Sequence, residues 1–171
     1  GTDEINLSLR GARDQEIKAI SRLFEQFETA DWAALVAAAS EAAEIYVTGF
    51  QSVRGSAEDF ARRLSLARDN VRFISANDGM LGEWLTYHGD ANPKPVTLIV
   101  IDVVPHAQAG AKIAQIAKDF GFSVIVISDE FCDWAHGVAD HSIYAKSRSG
   151  LFLGSTVPLM LTLDVLVDFV A

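Results

Sequence analysis

The stretch Ile45-Tyr46-Val47-Thr48-Gly49-Phe50-Gln51-Ser52-Val53-Arg54-Gly55-Ser56 limits the possible folds more than any other. An apolar, β-branched run stops at a glycine, a short polar turn follows, and a helical pattern runs from about Ser56 to Arg68. β-Branched side chains suit the pleated surface of a strand. A strand that feeds directly into a helix is the opening half of a β-α-β unit. The junction is also suited to chemistry: Gly49 leaves the backbone permissive, and the first N–H groups of a helix lack internal partners and attract anions.

Further along, Val96–Ile101 is an uninterrupted apolar run, as expected of a central parallel strand covered on both faces. Asn70–Ile74, Phe122–Ile127 and a weaker, edge-like His141–Ala145 complete a set of five strands. Helices are expected over Asp14–Thr29, Trp32–Glu44 (with Asp31 as N-cap), Asp78–Tyr87, Ala107–Phe120 and Leu151–Val170, with Pro158 as a kink or a division in the last. On the first, Ile17, Ile20, Leu23, Phe24 and Phe27 form the apolar face. Alternating strands and helices predict an α/β fold, a three-layer α-β-α sandwich on a five-stranded parallel sheet with right-handed crossovers. Ligands of such sheets bind outside the carboxyl ends of the strands. Four loops qualify: Phe50–Gly55, Ser75–Asp78, Asp102–Gln108 and Ser128–Trp134.

Composition narrows the function. Half of the 171 residues are hydrophobic, which is ample for a core. The formal charge of -9 makes a poor nucleic-acid-binding face. The single Cys132 can form neither an internal disulfide nor a zinc cluster, and suits a cytoplasmic setting. No signal peptide or membrane span is evident, since Asp164, Asp168 and Pro158 interrupt the most apolar stretch. The chain starts at Gly1, so it is expected to be a trimmed piece of a longer protein.

This layout resembles the sugar isomerase (SIS) domain over roughly Ala33 to the end, with residues 1–32 as an N-terminal arm. It looks most like the C-terminal domain of RpiR/MurR-type bacterial transcription regulators. The family's strand–Gly-x-Gly-x-Ser–helix motif is matched by Gly49 and Ser52, with Gln51 at the second glycine. Its Ser-x-Ser-Gly-x-Thr phosphate loop falls on Asp102-Val103-Val104-Pro105-His106-Ala107, where none of the hydroxyls is present. Ser128 keeps the hydroxyl usual after the fourth strand, and Lys146 and Arg148 are the cations leading into the last helix.

The resemblance implies a flavodoxin-like SIS fold and a carbohydrate-like effector, a sugar phosphate or related derivative. It also implies a homodimer or higher oligomer, and DNA binding only through an upstream helix-turn-helix domain missing from this chain. The expected ligand-binding residues are Gly49, Gln51, Ser52, Arg54, Asp102, His106, Ser128, Lys146 and Arg148. No catalytic residue, cofactor, metal or membrane partner is expected.

Each of these residues also has a plainer reading. Ser52 could be a turn or cap hydroxyl, Asp102 a cap for its own loop, and Arg54 a solvated cation; Gly49 and Gly55 read as backbone devices. Glu83 is the candidate base for an alternative reading as a phosphosugar isomerase-like enzyme. A third reading is a degenerate SIS module used for dimerisation, with Phe152, Leu153, Val157, Leu161 and Leu163 as a helix seam. His88, His136 and His141 show no metal spacing. Trp84, Tyr87, Phe131 and Trp134 read as packing residues before pocket residues.

Overall fold

Five short apolar segments build the sheet: β1 (Glu44–Gly49), β2 (Val71–Phe73), β3 (Val96–Asp102), β4 (Ser123–Ser128) and β5 (His141–Tyr144). They come from a computed structural model that describes residues 1–75 and 94–171. Every neighbouring pair is parallel, in the order β2-β1-β3-β4-β5. This is the flavodoxin order, which reverses direction between β1 and β3 and so opens a crevice at their carboxyl ends.

Strand side chains alternate between faces, and β3, buried throughout, shows both faces covered. Ile99 and Ile101 join Ile45, Val47, Ile125 and Ile127 in one core. Helices α2 (Ala30–Glu41), α3 (Arg54–Ala67) and α5 (Val157–Val170) close it with Leu35, Phe60, Leu64, Leu159, Leu163 and Leu166. Leu98 and Val100 point the other way, with Tyr46, Val124 and Val126, against Ile113, Ala114 and Ala117 of α4 (Gln108–Asp119). The three-layer α-β-α sandwich is as the sequence implies. Helix α1 (Thr2–Phe27) lies against α2 and α5.

Several boundaries differ from the sequence reading, each for a physical reason. Helix α1 begins at Thr2, not Asp14, and buries only Ala12, Ala19 and Leu23. Ile17 and Phe24, expected on its inner face, are mostly exposed. A helix with such a narrow contact stripe leaves little apolar period to read. The cap of α2 is Thr29, not Asp31: its Oγ1 accepts the Trp32 N–H at 3.2 Å. Helix α3 starts at Arg54 after a 3-10 turn over Gln51–Val53, two residues before the expected Ser56.

The last helix starts at Val157, not Leu151, with Pro158 in its first turn. There a missing N–H costs no hydrogen bond, so the proline initiates the helix and does not kink it. The expected apolar seam divides accordingly: Phe152 and Leu153 are exposed in the preceding loop, while Leu163 is buried in the core. The expected helix Asp78–Tyr87, with Glu83, Trp84, Tyr87 and His88, lies outside the described residues.

Candidate functional site

The alternation of strand faces decides what each strand end offers. Asp102 and Ser128 are register partners at the ends of β3 and β4. Both continue the parity of Leu98, Val100, Val124 and Val126, so they face the α4 layer. Their successors, Val103 and Asp129, face the opposite side.

Asp102 is 1% exposed. Its Oδ2 accepts the Trp134 indole N–H at 3.3 Å, and its Oδ1 lies 3.5 Å from the Ala107 N–H at the start of α4. Burial pushes its pKa up to about 6, against the opposing pull of the Ala107 N–H, His106 and Trp134. Ser128 is wholly buried, with Oγ 3.5 Å from the Asp129 carbonyl.

Asp129 has the more consequential position, and the sequence reading did not select it. It is fully buried, and its Oδ2 accepts the Val104 N–H at 2.6 Å. Its Oδ1 accepts the Phe131 N–H at 3.1 Å and lies 3.0 Å from His106 Nε2. One carboxylate thus ties the loop after β3 to the loop after β4. Together Asp102 and Asp129 accept from two N–H groups of the β3–α4 loop, and Pro105 has none to offer. The loop that would face an anion at the α4 N-terminus already holds the protein's own carboxylates. The parity that places Asp129 beside Ile125 and Ile127 is present in the sequence, and is the signal that identifies it.

On the Asp129 side lies a cleft of about 660 Å³. Its wall takes Ser52 from the loop after β1, Val103–Pro105 from the loop after β3, and Asp129 and Phe131 from the loop after β4. Ser147, Arg148, Ser149, Ser155 and Thr156 complete the polar part of the wall, and Leu159 contributes from α5. Hydroxyl groups make up most of the polar part of this lining, and Ala145 and Leu151–Leu153 add to its larger apolar part. Asp129 is its one carboxylate among the described residues, and both of its oxygens are engaged.

Two devices hold the far wall. Glu130 Oε2 accepts the Ser147 N–H at 2.8 Å, and Oε1 accepts the Arg148 N–H at 3.2 Å. Burial would raise the Glu130 pKa, but the N–H groups of Ser147, of Glu130 itself and of Arg148, with the Ser147 hydroxyl, hold it below the usual carboxylate range. The Ser155 N–H donates to the Ser147 carbonyl at 2.7 Å. Gly154 makes that approach possible: its φ is +69°, and a Cβ there would meet the Ser147 oxygen at 2.8 Å.

Of the nine residues expected from the sequence, Ser52 and Arg148 line this cleft. Gly49 lies below it, where a Cβ would approach Ala57 Cβ to 2.5 Å; it is a packing glycine between β1 and α3. Gln51 adopts φ +51° and is exposed. Arg54 pairs loosely with Glu58 at 3.4 Å, reaches Ser75 Oγ at 3.4 Å and lies over the Phe73 ring. His106 sits behind the cleft loop on Asp129, and Asp102 and Ser128 face α4. Lys146 lines a neighbouring groove against α1.

No group of three or more His, Cys, Asp or Glu side chains is placed to hold a metal among the described residues. Cys132 is buried, and burial raises its thiol pKa, which opposes formation of the nucleophilic thiolate. No helix among them is long and apolar enough to cross a membrane.

The chain matches no protein-family model and no curated sequence. Solved structures do match. The sugar isomerase domain of an RpiR transcription factor from Sphaerobacter thermophilus superposes with a TM-score of 0.72 at 16% identity, over 94% of this chain and 87% of that one. The fold is that of a sugar isomerase (SIS) domain. Another SIS-fold match is the Vibrio vulnificus NanR protein complexed with ManNAc-6P, with a TM-score of 0.71 at 13% identity. It covers 97% of this chain, which spans 61% of NanR. A Methanococcus jannaschii protein, whose structure was read as that of a 3-hexulose-6-phosphate isomerase, matches with a TM-score of 0.65 at 18% identity, over 92% of this chain and 85% of that one. SIS folds thus occur here in both regulators and isomerases.

Proposed function

We propose that this SIS domain is the effector-sensing part of a bacterial transcription regulator, and that its cleft binds a carbohydrate derivative without transforming it. The observation that carries this reading is the cleft lining. Its hydroxyls suit the many hydrogen bonds of a sugar, while its only described carboxylate is consumed by loop donors. Aldose–ketose isomerisation needs a base free to take a proton, and Asp129 is not free. The RpiR and NanR matches, the latter with ManNAc-6P, support the regulator reading.

In this reading residues 1–32 form an arm, 33–171 the sensing domain, and an upstream helix-turn-helix domain binds DNA in a cytoplasmic, dimeric protein. Effector binding would shift the placement of the two copies and hence of their DNA-reading helices.

A thermal-shift screen of sugar phosphates, sugar acids, amino sugars and inositols tests the cleft. A ligand at a hundred times its Kd should add about 2.7 kcal/mol, a Tm rise of roughly 5–10 °C for a domain of this size. The rise should vanish in Ser52→Trp, which fills the cleft from an exposed position. Conversion of any bound sugar to its isomer would establish the enzyme reading instead. No shift with any class would leave the domain a dimerisation module.

A further inference from the structure

We propose that the groove between α1 and the loops after β4 and β5 is a second ligand site, separate from the cleft, and that its ligand carries a phosphate group. The groove has a volume of about 290 Å³, and Lys18, Arg22, Lys146 and Arg148 line it together with Glu130 and Phe131. Their convergence follows from the local geometry. Lys18 and Arg22 are four apart on α1 and share one helix face. Lys146 and Arg148 are two apart on the segment after β5, and both line the groove.

The charge here runs against the rest of the molecule. A chain of net charge -9 carries four of its 14 Lys and Arg residues around this one groove, against a single carboxylate. That carboxylate is occupied: Glu130 accepts the N–H groups of Ser147 and Arg148. Among the described residues none of the four cations forms an ion pair, and the Arg148 guanidinium instead lies over the Phe131 ring, 5.4 Å from its centroid.

Four cations around one carboxylate leave the groove with excess positive charge, and a multiply charged anion relieves their repulsion. Guanidinium forks match phosphate oxygens, and ammonium groups add point charge. The groove adjoins a space of about 480 Å³ along α1 that shares Arg22, Glu130 and Lys146 and reaches Glu25, Gln26, Thr29 and Tyr144. It gives room for the organic part of a phosphate ester. The cleft lies across Phe131 and Arg148, the two residues that line both.

The test is calorimetric titration with inorganic phosphate and with glucose 6-phosphate, against glucose and chloride at matched ionic strength. Binding of a phosphate should weaken about tenfold in each of Lys18→Gln and Arg22→Gln, the loss of one charge-assisted contact. Both sites are exposed on a helix, and unchanged circular dichroism confirms the fold of each variant. Binding should persist in Ser52→Trp, so the groove stands even where the cleft reading fails. Tighter binding of the ester assigns an organic phosphate; equal affinity assigns the free ion. Absence of phosphate binding, binding indifferent to Lys18 and Arg22, or binding abolished by Ser52→Trp alone would each overturn the proposal.

Discussion

Asp102 and Asp129 are carboxylates at the ends of adjacent strands, and one residue of register sends them to opposite sides of the sheet. The consequence for Asp102 is titration. Its pKa in the fold is about 6, above the ordinary 3.8, so the fold favours the protonated form. That contribution is complete below the ordinary value and is lost as pH rises through about 6. The stability of the native chain relative to Asp102→Asn should therefore fall between about pH 4 and pH 7, in urea unfolding at a series of pH values. A difference that rises with pH would show that Asp102 is held ionised. At this scale the sequence was legible for chemistry but not for direction. Asp102 stood out because it follows an apolar strand. Asp129 did not, although counting by twos from Ile125 reaches it. Gly49 read as a backbone device, whereas what the fold takes from it is close packing on Ala57; the partners of Glu130 were not legible, because they lie 17 and 18 positions away.

Elements were legible in proportion to how much of them is buried. All of β3 is buried, and its apolar run announced it. Half-exposed α1 showed its apolar period only from Asp14 onward, because its first turns bury nothing before Ala12. The loop over 149–156 misleads in the other direction: Leu151–Leu153 looks like helix by hydropathy, but Gly150 and Gly154 both take positive φ and break it. Close contact between elements yields a direct prediction at Gly49. A methyl there would lie 2.5 Å from Ala57 Cβ and 3.3 Å from the Val53 carbonyl oxygen, so α3 must move off β1. Gly49→Ala should cost about 1–3 kcal/mol as an overpacked core does, measured by chemical denaturation. An unchanged midpoint would mean that α3 slides freely on the sheet. Because Ser52 sits between these two elements, the same substitution should also weaken any ligand held in the cleft.

For the whole molecule, the exposed apolar residues matter more than the acidic surface. Ile5, Leu7 and Leu9 on α1, and Leu151, Phe152 and Leu153 before α5, all present at least half of their surface to solvent, and Phe152 all of it. Exposed large apolar side chains that adjoin one another, as the consecutive Leu151–Leu153 do, mark association surfaces. With the dimer proposed above, light scattering should give twice the chain mass, and Phe152→Asp with Leu153→Asp should lower it to that of one chain. A single-chain mass for the unaltered protein would remove the dimer.

Helix α1 also gives the molecule a lever. Its 26 residues span about 39 Å. Among its residues, the deeply buried anchors are Ala12, Ala19 and Leu23, which leave the ten residues before Ala12 reaching about 15 Å beyond the last anchor. A tilt of about 10° at the anchors would swing the free end by roughly 3 Å at that length. Lys18 and Arg22 stand between the anchors, at the fulcrum. A ligand in the proposed groove that tilted α1 would be felt at the far end, where a rigid rod turns local chemistry into displacement.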